Sequence, residues 1–348
     1  MDAGRVFEIA WGVLPRLPRP LVRGLFALAA DVTWLVRPAG VRRLEANYAR
    51  VRPGLGRRGL RRLSRAGMRS YLRYYGEAFT LRASTPDEIA ARVRLVDEEN
   101  IMVPRDAGRG VVGALGHLGN WDLAGAYAGS FIMPVTTVAE RLEPPRLFEE
   151  FREFREALGM EILALGDDGV FPSLLRAVRA QPPRLVPLLA DRDLAASGVE
   201  VDLFGRRSRV AAGPAALSVA TGAPLLPISM TYERLRGERR RRAGTPWGLV
   251  IRFHPEESVD ASLPRKERVA AATQAWVDVL AGAIAARPED WHMLQHVFVE
   301  DLDPERYART LARAAGRAEE RAEGHAVPGA VGGAADGGAA DAPGAGAP

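Results

Sequence analysis

Short apolar runs, each closed by glycine, proline or a charged residue, alternate along this chain with longer stretches in which apolar positions recur every three or four residues. The runs at 110–115, 132–139, 161–165, 185–190, 199–204, 224–232 and 249–254 predict strands. The stretches at 59–79, 121–130, 145–158, 170–180, 214–221 and 266–286 predict helices, with Asn120-Trp121-Asp122 as one helix start. Strands and helices in alternation predict an α/β fold, with a central, mostly parallel or mixed sheet flanked by helices on both faces.

The ends of the chain break this rhythm. Two apolar segments, 6–14 and 21–36, sit among sixteen arginines in residues 1–76, against only Asp2, Glu8, Asp31 and Glu45. The whole chain carries a formal charge of only +5, so the remainder is net acidic. Concentrated cationic charge points to an anionic partner, and its interleaving with apolar segments favours a membrane surface over nucleic acid. Neither segment has the roughly 20 uninterrupted apolar residues of a spanning helix, since Arg23 and Asp31 break the second. Arg58, Arg61, Arg62, Arg65, Arg69 and Arg73 fall at helical spacing and form one basic face, either simply solvated or docked on anionic phospholipid. Acidic Asp2 and Glu8, and prolines in place of a small-residue cleavage site, do not read as a secretory leader, so a peripheral position on the cytoplasmic face of the membrane is expected. From about residue 324 the chain is rich in glycine, alanine and proline and is expected to be disordered. Three parts result: a basic amphipathic membrane-associating segment (1–76), an α/β core (77–320) and a tail (321–348).

At 348 residues and 47% hydrophobic, the chain is long enough for a large core. It has no cysteine, which excludes thiol nucleophiles, disulfides and thiolate metal sites. The chemistry concentrates where the predicted strand 110–115 ends, at Gly116-His117-Leu118-Gly119-Asn120-Trp121-Asp122. A histidine at the C-terminal edge of such a strand stands where open α/β sheets bind ligands, and a neutral imidazole there can take a proton from an alcohol. Two other strand ends carry charge: Glu140-Arg141 after 132–139, and Asp191-Arg192-Asp193 after 185–190. The pair Glu140-Arg141 fits a head-group site or a structural ion pair. No third ligand accompanies Asp191 and Asp193, so no metal site is expected. Two other patterns mislead. Gly108-Arg109-Gly110-Val111-Val112-Gly113 has dinucleotide spacing but precedes its strand, and His292 and His296 stand four apart with Met293 where a zinc protease has glutamate.

His117-Leu118-Gly119-Asn120-Trp121-Asp122 resembles the HxxxxD motif of glycerolipid-type acyltransferases, in the H-x-G-N-W-D form of the bacterial lipid A late acyltransferase superfamily. Val138-Ala139-Glu140-Arg141-Leu142, the segment 189–194 (LADRDL) and 198–205 (GVEVDLFG) are similar to blocks of the actinobacterial phosphatidylinositol mannoside acyltransferases. The resemblance covers roughly residues 5–320. It implies His117 as general base and a carboxylate partner at Asp191, where those enzymes carry glutamate; the shorter side chain leaves Asp122 as the alternative partner. It also implies acceptor-binding or bracing roles for Glu140 and Arg155, with Asn120 and Arg192 in the same motifs. The implied reaction moves a long-chain, palmitoyl-type acyl group from acyl-CoA, a co-substrate rather than a cofactor, to the mannose 6-hydroxyl of a mannosylated phosphoinositide. Transfer is direct, since there is no cysteine and no GxSxG serine. Backbone amides at the glycine-rich helix start are the expected oxyanion donors, and an apolar groove between the sheet edge and the N-terminal helices is the expected place for the fatty chain. Another glycolipid or lysophospholipid acceptor, and an inactive membrane-binding scaffold, are the alternatives.

Overall fold

The computed structural model describes residues 12–141, 145–193, 198–305, 307–309 and 311–312. The expected tail, the first eleven residues and Leu142 and Leu194 of the quoted motifs lie outside the described residues. Met1–Asp303 form one compact unit; a second runs from Pro304 to Pro348, and its described residues are helical.

The first unit is α/β. Its helices are α1 (Arg19–Val36), α2 (Ala39–Val51), α3 (Arg57–Leu81), α4 (Pro86–Arg92), α5 (Glu99–Asp106), α6 (Trp121–Phe131), α7 (Pro145–Ala157), α8 (Val170–Val178), α9 (Gly213–Thr221), α10 (Gly237–Ala243) and α11 (Arg265–Ala286). Its strands are β1 (Val93–Val96), β2 (Val111–Leu115), β3 (Val135–Ala139), β4 (Met160–Ala164), β5 (Leu185–Leu189), β6 (Val199–Leu203), β7 (Arg206–Val210), β8 (Leu225–Arg234) and β9 (Trp247–Phe253). Seven of them form one sheet in the order β1-β9-β8-β2-β5-β3-β4, parallel except where β8 and β9 run antiparallel. Side chains alternate across the central strands. Val112, Ala114, Val186 and Leu188 face a cluster shared with α2, α8, α9 and α11, whereas Val111, Leu115 and Leu185 face one built from α4 to α7.

The run 199–204 does not join the main sheet. It pairs with β7, which the pattern did not predict, as an antiparallel hairpin. Phe204 and Gly205, both with positive φ (57° and 72°), make the two-residue turn that matches strand twist. The edge strand β1 was also missed; with four residues it carries too little periodicity to read.

The basic N-terminal segment contributes to the core. Arg37, with φ 57° before Pro38, ends α1, and the chain bends by 84° into α2. Three of the arginines expected on one basic face of α3, solvated or docked on phospholipid, pair instead with its neighbours. Arg61 pairs with buried Glu45 of α2 at 2.6 Å and stacks on Trp34 of α1, 3.9 Å from the ring centroid. Arg65 and Arg69 both hold Asp31 of α1. Burial would push the Glu45 carboxyl up, but Arg61, Arg37 and Ser64 outweigh it and hold the group below its ordinary value. Outward, α1 presents Leu21, Leu25, Leu28, Val32 and Leu35 at helical spacing, with Leu28 62% and Leu35 67% exposed. The apolar helix α11 is long enough to span a bilayer, yet Trp276, Val277, Leu280 and Ile284 are buried in the core.

At the α2–α3 crossing, Gly67 lies so close to Tyr48 that an added Cβ would sit 2.3 Å from its hydroxyl oxygen. Gly67→Ala is expected to destabilise the fold by about 1–3 kcal/mol through overpacking. A lowered thermal unfolding midpoint by circular dichroism is the check, and an unchanged midpoint would mean that the helices separate freely.

Candidate active site

In the register of the parallel strands, Leu115 of β2 lies opposite Leu189 of β5. Two residues beyond each strand end stand His117 and Asp191, so adjacent strands deliver an imidazole and a carboxylate to the same sheet edge. His117 Nδ1 lies 2.6 Å from Asp191 Oδ1, and the His117 backbone N–H donates to Asp191 Oδ2 at 2.9 Å. The second bond answers how the shorter aspartate reaches the ring: the backbone itself comes to the carboxylate. Gly116 permits this approach, since a Cβ there would lie 3.1 Å from Asp191 Oδ2. Trp291 Nε1 donates to that same oxygen at 2.9 Å.

Burial disfavours charge on both partners, but their mutual attraction prevails. His117 is held above its ordinary value by the charge and hydrogen bond of Asp191, and Asp191 is held below the usual carboxylate range by His117 and Trp291. Glu140 and Arg192, at the ends of β3 and β5, act on the same ring with opposite sign; Glu140 raises and Arg192 lowers the His117 pKa. Arg192 also donates to the His296 carbonyl, while Arg141 pairs with Asp167.

Asp122, the alternative partner, is held elsewhere. Buried at the start of α6, it accepts from the Tyr74 hydroxyl at 2.7 Å and from Arg155 Nε at 2.7 Å. Asn120 is fully buried too: its Oδ1 caps α6 by accepting from the Leu123 N–H, and its Nδ2 donates to Glu77 at 2.7 Å. That amide is therefore occupied on both sides by protein groups rather than open to a ligand. Glu77 in turn pairs with Arg92. The expected oxyanion donors are partly used. Leu118 N–H donates to the Gly116 carbonyl, Gly119 N–H, at positive φ, to the Asp290 carbonyl and Leu123 N–H to Asn120, leaving the Trp121 and Asp122 amides of the first turn of α6.

The segment following α11 was not recognised as part of the site. Leu118 and Trp291 form an antiparallel bridge, and His292 N–H donates to the His117 carbonyl at 2.8 Å. His292 Nε2 meets Ser70, which donates to Asp290, and burial with the nearby charges of Arg73 and His117 pushes the His292 pKa down to about 3. His296, by contrast, accepts from Arg43. The two histidines thus have separate partners and do not share a helix. The sequence signal available was the aromatic-rich run Trp291-His292-Met293.

The family model for bacterial lipid A biosynthesis acyltransferases matches residues 6–299. The chain belongs to this family. It is an acyltransferase. Among its relatives are the phosphatidylinositol mannoside acyltransferase of Mycolicibacterium smegmatis, 38% identical over 87% of this chain and 93% of the relative, and that of Mycobacterium tuberculosis, 36% identical over 88% and 92%. Among solved structures, the 1-acyl-sn-glycerophosphate acyltransferase PlsC of Thermotoga maritima matches with a TM-score of 0.32 at 15% identity, over 75% of this chain and 97% of that one. In the acyltransferase, His117 and Asp191 are the only described histidine and carboxylate in direct contact at the sheet edge where the family motif begins.

The raised pKa of His117 has a direct check. Titration of its ring by NMR is expected to give a midpoint above about 6.5. Asp191→Asn, which leaves burial without the compensating charge, should move it below that value; a midpoint unmoved by the substitution would remove Asp191 as its partner.

Proposed function

We propose that the protein transfers a long-chain, palmitoyl-type acyl group from acyl-CoA to the mannose 6-hydroxyl of phosphatidylinositol mannosides, at the cytoplasmic face of the membrane, with His117 as general base. The observation that carries this reading is the His117–Asp191 contact. With Nδ1–H donated to the carboxylate, Nε2 is the basic nitrogen, and it has no hydrogen-bond partner among the described residues. Nε2 takes the proton of the attacking hydroxyl, Asp191 stabilises the imidazolium, and the tetrahedral oxyanion is met by first-turn amides of α6 at the positive end of the helix dipole. Collapse of the intermediate expels the CoA thiolate, which receives the proton from His117. No acyl-enzyme forms.

The acceptor reading is supported by the relatives, which are phosphatidylinositol mannoside acyltransferases and are similar along most of both chains. Glu140 and Arg192, one on each side of the catalytic pair in charge, are suited to the hydroxyls of a sugar head group. Arg155 acts through Asp122, bracing the first turn of α6 rather than touching the acceptor. The exposed apolar face of α1 supports peripheral membrane association.

The test is free-thiol release from palmitoyl-CoA with phosphatidylinositol mono- or dimannoside as acceptor, beside no-acceptor and lysophospholipid controls. Release is expected only with the mannosides, and His117→Ala should lower it by about 10²–10⁴-fold with the fold intact. Release with lysophospholipid alone would move the acceptor, and activity of His117→Ala within tenfold of the parent would remove the base.

Because the base must be neutral to accept a proton and its pKa is raised, activity should fall as pH drops through a midpoint above about 6.5. In a kcat/KM profile, an acidic limb below that value would contradict the assignment.

A further inference from the structure

A cavity of about 840 Å³ lies apart from His117, which is not among its lining residues. It lies between α1, α3 and the adjacent ends of β8 and β9, where an apolar groove was expected; instead nine arginines line it. Arg19, Arg65, Arg69, Arg92 and Arg287 are each held by a carboxylate. Arg23, Arg62, Arg73 and Arg234 have no ion-pair partner among the described residues.

Two of these four share one aromatic platform. The Arg73 guanidinium lies 3.5 Å from the Trp247 ring centroid and 4.6 Å from that of Tyr232, and Arg234 lies 4.1 Å from Trp247. Cation–π contact orients a guanidinium but supplies no counter-charge, and two like charges on one indole repel. Burial and the charge of Arg234 depress the Arg73 pKa against the opposing charges of Glu77 and Asp290, and burial with the charges of Arg240 and Arg19 depresses that of Arg23 against Glu77. The desolvated Arg73, crowded with half-buried Arg23 and with Arg62 and Arg234 at the cavity's exposed rim, favours a bound anion, and these planar donor forks match the oxygens of a phosphate.

We propose that this arginine-lined cavity binds the phosphodiester of an anionic phospholipid, as a site separate from the catalytic histidine. The source is set by α1, which forms one wall through Arg23, Gly24 and Ala27 and carries the exposed Leu21, Leu25, Leu28, Val32 and Leu35 along its length. A phosphate joined to acyl chains satisfies both the cavity and this apolar face; a soluble phosphate or a nucleotide satisfies only the cavity. The inference rests on the membrane reading above for the source of the phosphate alone.

Isothermal titration of the full chain with dihexanoylphosphatidylglycerol below its micellar concentration is the experiment, beside dihexanoylphosphatidylcholine, sodium phosphate and adenosine 3′,5′-bisphosphate. Phosphatidylglycerol is expected to bind in preference to the other three. Arg73→Gln should abolish binding. The double variant Arg23→Gln/Arg62→Gln, which leaves the aromatic stack untouched, should weaken it by about tenfold or more with an unchanged thermal midpoint. Arg105→Gln, outside the cavity, should have no effect. Absence of phosphatidylglycerol binding, or equal affinity in the double variant, would overturn the site. Tighter binding of phosphate or the bisphosphate, lost in the same variant, would overturn the lipid assignment. The readout is binding heat, so failure of the proposed donor or acceptor in acyl transfer leaves it unaffected.

Discussion

The pairing of β2 with β5 is the constraint on which the site depends. Parallel register is fixed along five residue pairs whose side chains are packed on both faces, so a one-residue slip would send each side chain into the opposite core cluster, whose packing it does not fit. That rigidity places His117 and Asp191 at equal distances past their strand ends, and Gly116 lets the backbone close on the carboxylate. An aspartate with three donors, the His117 ring, the His117 amide and the Trp291 indole, stays ionised in a buried position and holds one tautomer of the ring.

Around that pair the protein adds supports from distant parts of the chain. Tyr48 of α2 donates to the Trp291 carbonyl, and Asn47 to the carbonyls of Met293 and Gln295. Residues 291–292 then hold Leu118 and His117 by backbone contacts. The N-terminal helices are therefore joined mechanically to the loop that carries His117, and whatever contacts α1 acts on a body continuous with the candidate site. On the other flank, Asp122, Tyr74 and Arg155 lock the first turn of α6, giving the final aspartate of the motif an architectural position.

The charge of the N-terminal segment is used in two ways. Arg61, Arg65 and Arg69 bind Glu45 and Asp31 across helix interfaces, where breaking one partner of the buried Glu45 group would leave an uncompensated charge. Arg23, Arg62, Arg73 and Arg234 remain as net positive charge around the cavity. The same residue type thus builds the three-helix clamp and provides a polar chamber beside the exposed apolar face of α1.

Much of this was legible in the sequence by itself. Periodicity marked the central strands and most long helices, because strands buried on both faces are short continuous apolar runs. The position of His117 at a strand end, the family motif and the charges at 140 and 191–192 were equally open to reading. Choosing Asp191 over Asp122 required the tertiary structure, since register and the approach of the backbone at Gly116 decide which carboxylate reaches the ring. So did the roles of Trp291 and Ser70, whose partners lie 100 and 220 residues away. Helical spacing placed six arginines on one face of α3 without showing which of them meet Asp31, Glu45 or Trp247. Local pattern determines what an element is and which face is apolar; only packing determines which charges find a partner and which are left around a cavity.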